Sequence, residues 1–167
     1  MISRKICLLG ASAVGKTSLV RRFVHGVFDD KYLTTVGVKI DKRTVESEGQ
    51  EVNLILWDIS GEDEFSQLQM SYLRGAAGYL FVADGLRPAT LAKVIEIERR
   101  AREALGPRRF VLAINKVDLE ADWRLDEAEL ETLRKQGWKL FRTSALSGEG
   151  VAAAFDELAS AEADALS

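Results

Sequence analysis

The stretch Gly10-Ala11-Ser12-Ala13-Val14-Gly15-Lys16-Thr17 decides the fold of this chain, because it fits the G-x-x-x-x-G-K-[ST] phosphate-binding pattern in full. An apolar run typical of a buried strand precedes it at residues 6–9, and residues 18–24 that follow have the apolar spacing of a helix. Glycines in such a turn let the backbone N–H groups point at phosphate oxygens. The Lys16 ammonium is predicted to reach the β- and γ-phosphates, and the Thr17 hydroxyl to bind Mg²⁺. This context favours a nucleotide site over a chance glycine turn.

Charge and cysteine content narrow the classes of function. The chain has 167 residues and a net charge of −3, which argues against a general nucleic-acid binder. Its one cysteine, Cys7, cannot form an internal disulfide, so we expect a reducing, cytoplasmic compartment. Ile2 is not the glycine that N-myristoylation requires, and residues 162–167 hold no cysteine to prenylate. We therefore expect a cytoplasmic protein without a direct lipid anchor.

Apolar patterning predicts an α/β fold. Short apolar runs without polar alternation predict strands that are covered on both faces, at residues 6–9, 54–57, 79–83 and 110–114. An antiparallel hairpin is predicted over residues 38–45 and 52–56, a further strand over 138–142, and helices over 90–105, 126–136 and from 151. We expect one domain over residues 1–167, with a six-stranded, mostly parallel sheet, one antiparallel edge strand and about five helices on its two faces.

The motif Asn115-Lys116-Val117-Asp118 follows one of these strands and points to guanine. The Asp118 carboxylate can accept hydrogen bonds from the N1–H and the 2-amino group of guanine. Adenine has neither donor and would leave the charge unpaired, so such a site can discriminate by ~10⁴ or more. The Asn115 amide is expected to connect base and loops, and the Lys116 stem to lie along the base. Together with the phosphate-binding loop, the motif predicts a guanine nucleotide.

A second strand end, Trp57-Asp58-Ile59-Ser60-Gly61-Glu62, carries a carboxylate where Mg²⁺ is expected. Asp58 is predicted to hold the ion directly or through water. The Gly61 N–H can approach a γ-phosphate because no side chain blocks it. Upstream, the Thr35 hydroxyl is predicted to complete the Mg²⁺ shell only while a γ-phosphate is present, which makes an order–disorder switch. The alternative is a threonine-rich loop that only enters the edge strand.

The stretch Thr143-Ser144-Ala145-Leu146 follows the last predicted strand. Its small residues allow a backbone N–H, that of Ala145, to reach the guanine O6. This signal is weak by itself and gains weight from the other motifs.

With these motifs in order, the chain resembles the Ras superfamily of small GTPases, which have the P-loop NTPase fold. It resembles the Rab branch most, through Tyr72-Leu73-Arg74-Gly75-Ala76 and Trp57-Asp58. The resemblance implies a GTP/GDP switch with Mg²⁺, slow intrinsic hydrolysis, and effector and regulatory proteins that bind switch I (residues 30–38) and switch II (residues 61–72). It also implies that Phe28 packs edge-on against guanine, although a core aromatic at a helix end is the alternative. We expect a monomer.

The predicted site combines catalytic, metal-binding and nucleotide-binding groups. The catalytic set is Lys16, Thr35, Gly61 and Glu62, and the metal ligands are Thr17, Thr35 and Asp58. The GTP-binding set is Ser12, Ala13, Val14, Gly15, Lys16, Thr17, Ser18, Phe28, Tyr32, Thr35, Gly61, Asn115, Lys116, Asp118, Ser144, Ala145 and Leu146.

The sequence departs from the family pattern at Glu62, where the family has a glutamine that orients water. An ionised carboxylate can accept from water but cannot donate to the phosphoryl oxygens. Either hydrolysis survives with an unusual pH dependence, or it depends on a partner's arginine. Ile40 stands where Rab proteins have an effector-binding phenylalanine, which with the absent lipid site suggests a non-prenylated relative of prokaryotic type.

Two further classes of function stay open at this point. One is a GTP-binding scaffold with little or no hydrolysis, which Glu62 keeps in consideration. The other is a P-loop kinase, which Asn115 to Asp118 and the lack of an evident lid or acceptor site disfavour.

Overall fold

A computed structural model describes residues 2–11, 14–24, 38–59 and 67–160, without the side chains of residues 67–69. The described part contains one six-stranded sheet, five α-helices and one short 3-10 helix. The strands are β1 (Ile2–Gly10), β2 (Val38–Ser47), β3 (Gln50–Ile59), β4 (Gly78–Asp84), β5 (Arg109–Asn115) and β6 (Leu140–Thr143). The helices are α1 (Lys16–Val24), α2 (Gln67–Tyr72), α3 (Pro88–Leu105), α4 (Glu127–Lys135) and α5 (Val151–Ala159), with the 3-10 helix at Val117–Asp122.

The sheet has the strand order β2-β3-β1-β4-β5-β6. Only the β2–β3 pair is antiparallel, and the other four pairs are parallel. The predicted fold, mostly parallel with one antiparallel edge strand, is therefore confirmed. The hairpin closes across Glu48 and Gly49, both at positive φ (54° and 79°), as a two-residue hairpin turn requires.

Strand β1 shows how the core divides between the two faces of the sheet. Ile6 and Leu8 pack on the face covered by α1 and α5, where the Phe23 and Phe155 rings stack at 4.0 Å. Cys7 and Leu9 point to the opposite face, which α3 and α4 cover. Successive side chains of a strand point to opposite faces, so an apolar run without alternation is buried on both.

The helix and strand ends differ in detail from the sequence-based prediction. Helix α3 begins at Pro88, whose fixed φ suits the first helical position, rather than at residue 90. Trp138 was expected to open a strand, but β6 begins at Leu140. The Trp138 N–H instead donates to the Leu133 carbonyl at 3.0 Å, which makes this residue part of the turn after α4. Its ring packs edge-on against Phe110 in the core.

The parallel strands place the functional motifs at one edge of the sheet. The carboxyl ends of β1, β3, β4, β5 and β6 all lie at this edge, since parallel strands end on the same side. In the part of the chain that the structure describes, no helix is long and apolar enough to cross a membrane.

Candidate nucleotide-binding site

Asn115, the last residue of β5, connects three loops at the carboxyl edge of the sheet. Its amide nitrogen donates to the Val14 carbonyl at 2.9 Å, and its backbone carbonyl accepts from the Gly85 N–H at 3.1 Å. The Thr143 hydroxyl donates to the Asn115 amide oxygen at 3.4 Å. The expected role of Asn115 in holding the loops together thus has a direct structural basis, since its side chain is buried and bonded on both sides.

Gly15 is the residue that lets the phosphate-binding loop approach Asn115. Its φ is +99°, a conformation that side-chain-bearing residues rarely adopt, and an added Cβ would lie 2.2 Å from the Asn115 amide nitrogen. The Gly15 carbonyl then accepts from the Leu19 N–H at 2.9 Å and so begins helix α1. The helix N-terminus therefore opens directly onto the loop, an arrangement that favours anions.

Lys16 is a buried cation at this helix N-terminus, with a relative exposure of 6%. Its ammonium donates to the Ile59 carbonyl at 2.5 Å. Burial lowers the pKa of Lys16 because it disfavours the charged form, and the nearby Asp58 carboxylate opposes that effect. A phosphate placed here would balance the buried charge, which is the reason that a lysine suits this position.

Thr17 and Asp58 form an oxygen pair beside Lys16. The Thr17 hydroxyl donates to the Asp58 carboxylate at 2.6 Å. This bond connects the first turn of α1 to the end of β3. Mg²⁺ typically takes one or two protein oxygens and completes its shell with water and phosphate. Among the described residues no group of three or more His, Cys, Asp or Glu side chains could form an all-protein metal cage. The Thr17 hydroxyl and the Asp58 carboxylate offer oxygen ligands of the kind that Mg²⁺ prefers.

A cavity of about 570 Å³ lies beside Asn115, a size suited to a nucleoside. It is lined by Gly15, Ser18, Asn115, Lys116, Asp118, Leu119, Ala145 and Leu146. All of these except Leu119 were predicted from the sequence. Leu119 and Leu146 are 43% and 78% exposed and give the cavity an apolar rim. The available signal for Leu119 was an apolar residue placed directly after Asp118, the carboxylate that is expected to contact the base.

Asp118 is held in position by Ser144, for which the sequence predicted a nucleotide contact but not a bond to Asp118. The fully buried Ser144 hydroxyl donates to one Asp118 carboxylate oxygen at 2.8 Å and accepts from the Ser147 N–H at 3.0 Å. Because the hydroxyl has only one proton, these two bonds fix its direction. Ser144 therefore orients the carboxylate that is expected to select guanine.

Asp84, which no sequence motif singled out, contacts the candidate site through Lys116. Its carboxylate, at the buried end of β4, accepts from the Lys116 ammonium at 2.7 Å, the Leu86 N–H at 2.9 Å and the Arg87 guanidinium at 3.1 Å. Burial acts to raise the pKa of Asp84, but these hydrogen bonds together hold it below its ordinary value. The sequence signal for Asp84 was a carboxylate at the end of an otherwise apolar strand, at the same edge of the sheet as the other motifs.

Several predicted residues lie outside the described part of the chain. They are Ser12, Ala13, Phe28, Tyr32, Thr35, Gly61 and Glu62. Trp57 and Tyr72, which belong to the two Rab-like segments of the sequence, have ring centroids 6.1 Å apart. Ile40 is half-buried and packs beside them on the same core cluster.

The geometry agrees with what comparison with known proteins finds. A family model described as Ras family matches residues 5–163. Ras-related protein Rab-13 from Canis lupus familiaris is 34% identical over 158 residues, which cover 93% of this chain and 77% of that protein. Ras-related protein Rab-21 from Mus musculus is 33% identical over 158 residues, which cover 93% of this chain and 71% of that protein. With a matching family model, Rab relatives above 30% identity and a Ras-like G domain fold, this chain belongs to the Ras family of small GTPases.

Proposed function

We propose that the protein is a guanine-nucleotide switch that binds GTP and GDP with Mg²⁺ and slowly hydrolyses GTP to GDP and phosphate. The observation that supports the proposal most is the bond between Asn115 and Val14, because it couples the loop proposed to bind the base to the loop proposed to bind phosphate. A nucleotide that spans the two loops would contact Asp118 at its base and Lys16 at its phosphates. Family membership supports this function over that of a P-loop kinase.

Base selection is assigned to Asp118. Its carboxylate, oriented by Ser144, would accept from the guanine N1–H and 2-amino group, while the Ala145 N–H would donate to O6. The Lys116 stem and the exposed side chains of Leu119 and Leu146 offer apolar surface for the purine faces. Phe28 is proposed as a further contact with the base.

Phosphate binding is assigned to the loop and to the first turn of α1. Ser12, Ala13, Val14 and Gly15 would supply backbone N–H groups, and Lys16 would donate to the β- and γ-phosphates. Thr17, Asp58 and Thr35 would hold Mg²⁺, which when bound neutralises charge that develops on the phosphate oxygens. Tyr32 and Ser18 complete the proposed nucleotide contacts.

The hydrolytic step is assigned to Lys16, Thr35, Gly61 and Glu62. Gly61 would donate its N–H to the γ-phosphate, and Glu62 would accept a hydrogen bond from the attacking water. Effector and regulatory proteins would bind switch I and switch II, and contacts of Thr35 and Gly61 with the γ-phosphate would control that binding. No observation on the described residues favours the alternative of a scaffold without hydrolysis.

The test is nucleotide binding by wild type and two site variants. Lys16→Ala removes the buried cation, and Asp118→Ala removes the base acceptor, so each should abolish tight GTP and GDP binding. Asp122→Ala and Lys135→Ala remove matching charges from exposed positions and should bind as wild type does. Titration of a fluorescent GDP analogue, with ATP and ADP as competitors, measures both affinity and base preference. Unchanged affinity in either site variant would refute the site assignment.

A further inference from the structure

The indole of Trp123 lies directly against Gly85, the residue that follows β4. A Cβ built on Gly85 would lie 2.2 Å from Trp123 Cε2 and 2.4 Å from both Cδ2 and Nε1. Real Cβ atoms do not approach this closely, so any side chain at position 85 would displace the ring. The φ of Gly85 is not positive, which means that the contact and not the backbone conformation requires glycine.

Trp123 also holds the backbone of the base-reading loop. Its indole N–H donates to the Lys116 carbonyl at 2.8 Å. Lys116 has left-handed backbone angles (φ 76°, ψ 36°), which a non-glycine residue adopts only where its surroundings enforce them. The loop is joined to the end of β4 by two further bonds, from the Gly85 N–H to the Asn115 carbonyl and from the Arg124 N–H to the Gly85 carbonyl, each at 3.1 Å.

The two ends of Lys116 are thus fixed independently. Trp123 binds its backbone carbonyl, and Asp84 binds its ammonium at 2.7 Å. Between these two points the aliphatic stem of Lys116 borders the base cavity, and Asp118 lies two residues further on. A shift of the Lys116 backbone would therefore move both the stem and the base-reading carboxylate. The Trp123 indole also contacts Arg142, whose guanidinium carbon lies 5.8 Å from the ring centroid.

We infer that Trp123, seated on Gly85, is a positioning residue that sets guanine discrimination and nucleotide residence time by fixing the backbone of Lys116. The inference rests on the proposed nucleotide function. Trp123 does not line the base cavity, so its effect on the base passes through Lys116 and Asp118. The tryptophan and the glycine are needed together, because the ring reaches the Lys116 carbonyl only where position 85 has no side chain.

Two substitutions separate the hydrogen bond to Lys116 from the packing of the Trp123 ring on Gly85. Trp123→Phe keeps an aromatic ring and removes the N–H, and Gly85→Ala keeps the N–H and pushes the ring away. Each should speed GDP dissociation, by about fivefold for the lost hydrogen bond. Each should also lower the ratio of GDP affinity to inosine diphosphate affinity, because inosine lacks the 2-amino group that a well-placed Asp118 recognises. In a Trp123→Ala background, Gly85→Ala should add nothing further, since no ring remains to collide with the methyl group.

Trp138→Phe is the matched control. This substitution removes the same indole from the core contact with Phe110, so it should lower thermal stability and leave the GDP to inosine diphosphate ratio unchanged. If Trp123→Phe and Gly85→Ala behave like Trp138→Phe, Trp123 is only structural and the inference is overturned. A wild-type protein without guanine preference would overturn the proposed function itself, and this inference with it. A guanine-selective wild type with unchanged variants would overturn the inference alone.

Discussion

The Asn115 amide nitrogen and the Val14 carbonyl oxygen lie 2.9 Å apart although 101 positions separate them in the sequence. Val14 belongs to the loop that is expected to bind phosphate, and Asn115 begins the loop that is expected to bind guanine. The bond fixes the distance between the two loops, and a rigid ligand that spans both can bind only if that distance is kept.

The glycine at position 15 can be tested against another glycine with a positive φ. Gly15→Ala should break the bond between Asn115 and Val14, since the new Cβ would lie 2.2 Å from the amide nitrogen. We expect nucleotide affinity to fall about 10- to 100-fold, as when a buried polar group loses its partner. Gly49 also has a positive φ, but a Cβ there would contact nothing within 4 Å. Gly49→Ala should therefore cost stability, about 1 kcal/mol, without changing affinity in the same titration.

The orienting role of Ser144 predicts a loss of affinity without loss of fold. Ser144→Ala removes the hydroxyl that donates to Asp118 at 2.8 Å, and a hydrogen bond to a charged group contributes about 1.5–3 kcal/mol. GDP affinity, measured by isothermal titration calorimetry, should fall by about tenfold or more. Ser147→Ala, an exposed change in the same loop, is the control. Equal affinities in wild type and Ser144→Ala would mean that the base does not depend on this contact.

The carboxylate at position 62 predicts a pH dependence that glutamine would lack. If Glu62 accepts a hydrogen bond from the attacking water, single-turnover GTP hydrolysis should follow its titration, being fast where the carboxylate is ionised and slow where it is protonated. Glu62→Gln should remove that titration. Phosphate release, followed from about pH 5.5 to 8.5 in both proteins, measures the rate of hydrolysis as a function of pH. GTP that stays intact in wild type but is hydrolysed by Glu62→Gln would instead favour a switch that stays on until a partner acts.

Burial of Cys7 predicts a thiol that reacts only when the chain unfolds. Burial raises the pKa of Cys7 from 9.0 to about 12, although the charge of Lys5 opposes it. The unfolded chain therefore ionises its thiol at a lower pH than the folded protein, and this group makes the folded state less stable as the pH rises from about 9 to 12. At pH 8 a thiol reagent should modify the folded protein very slowly and the urea-unfolded chain at once. Rapid labelling of the folded protein would contradict the burial of Cys7.

Most of the sheet could be predicted because its strands are apolar on both faces and end at recognisable motifs. The boundaries were harder to predict, since β1 begins at Ile2 and its next three residues, Ser3, Arg4 and Lys5, pair with β3 but are polar and give no apolar signal. Candidate site residues could be named from the sequence where a motif defines them, as at Lys16 and Asp118. Asp84 and Trp123 were missed because their roles depend on contacts with Lys116 that form only when β4 and β5 lie side by side.

Leu119 and Leu146, which line the base cavity, expose apolar side chains. A purine bound in the cavity would remove part of that apolar surface from water, as burial of a side chain in the hydrophobic core does. Folding and ligand capture are then linked equilibria, in which each tenfold rise of free nucleotide above its dissociation constant adds about 1.4 kcal/mol to the free energy of unfolding. In a cell, the nucleotide supply would thereby help to set how much of this protein survives.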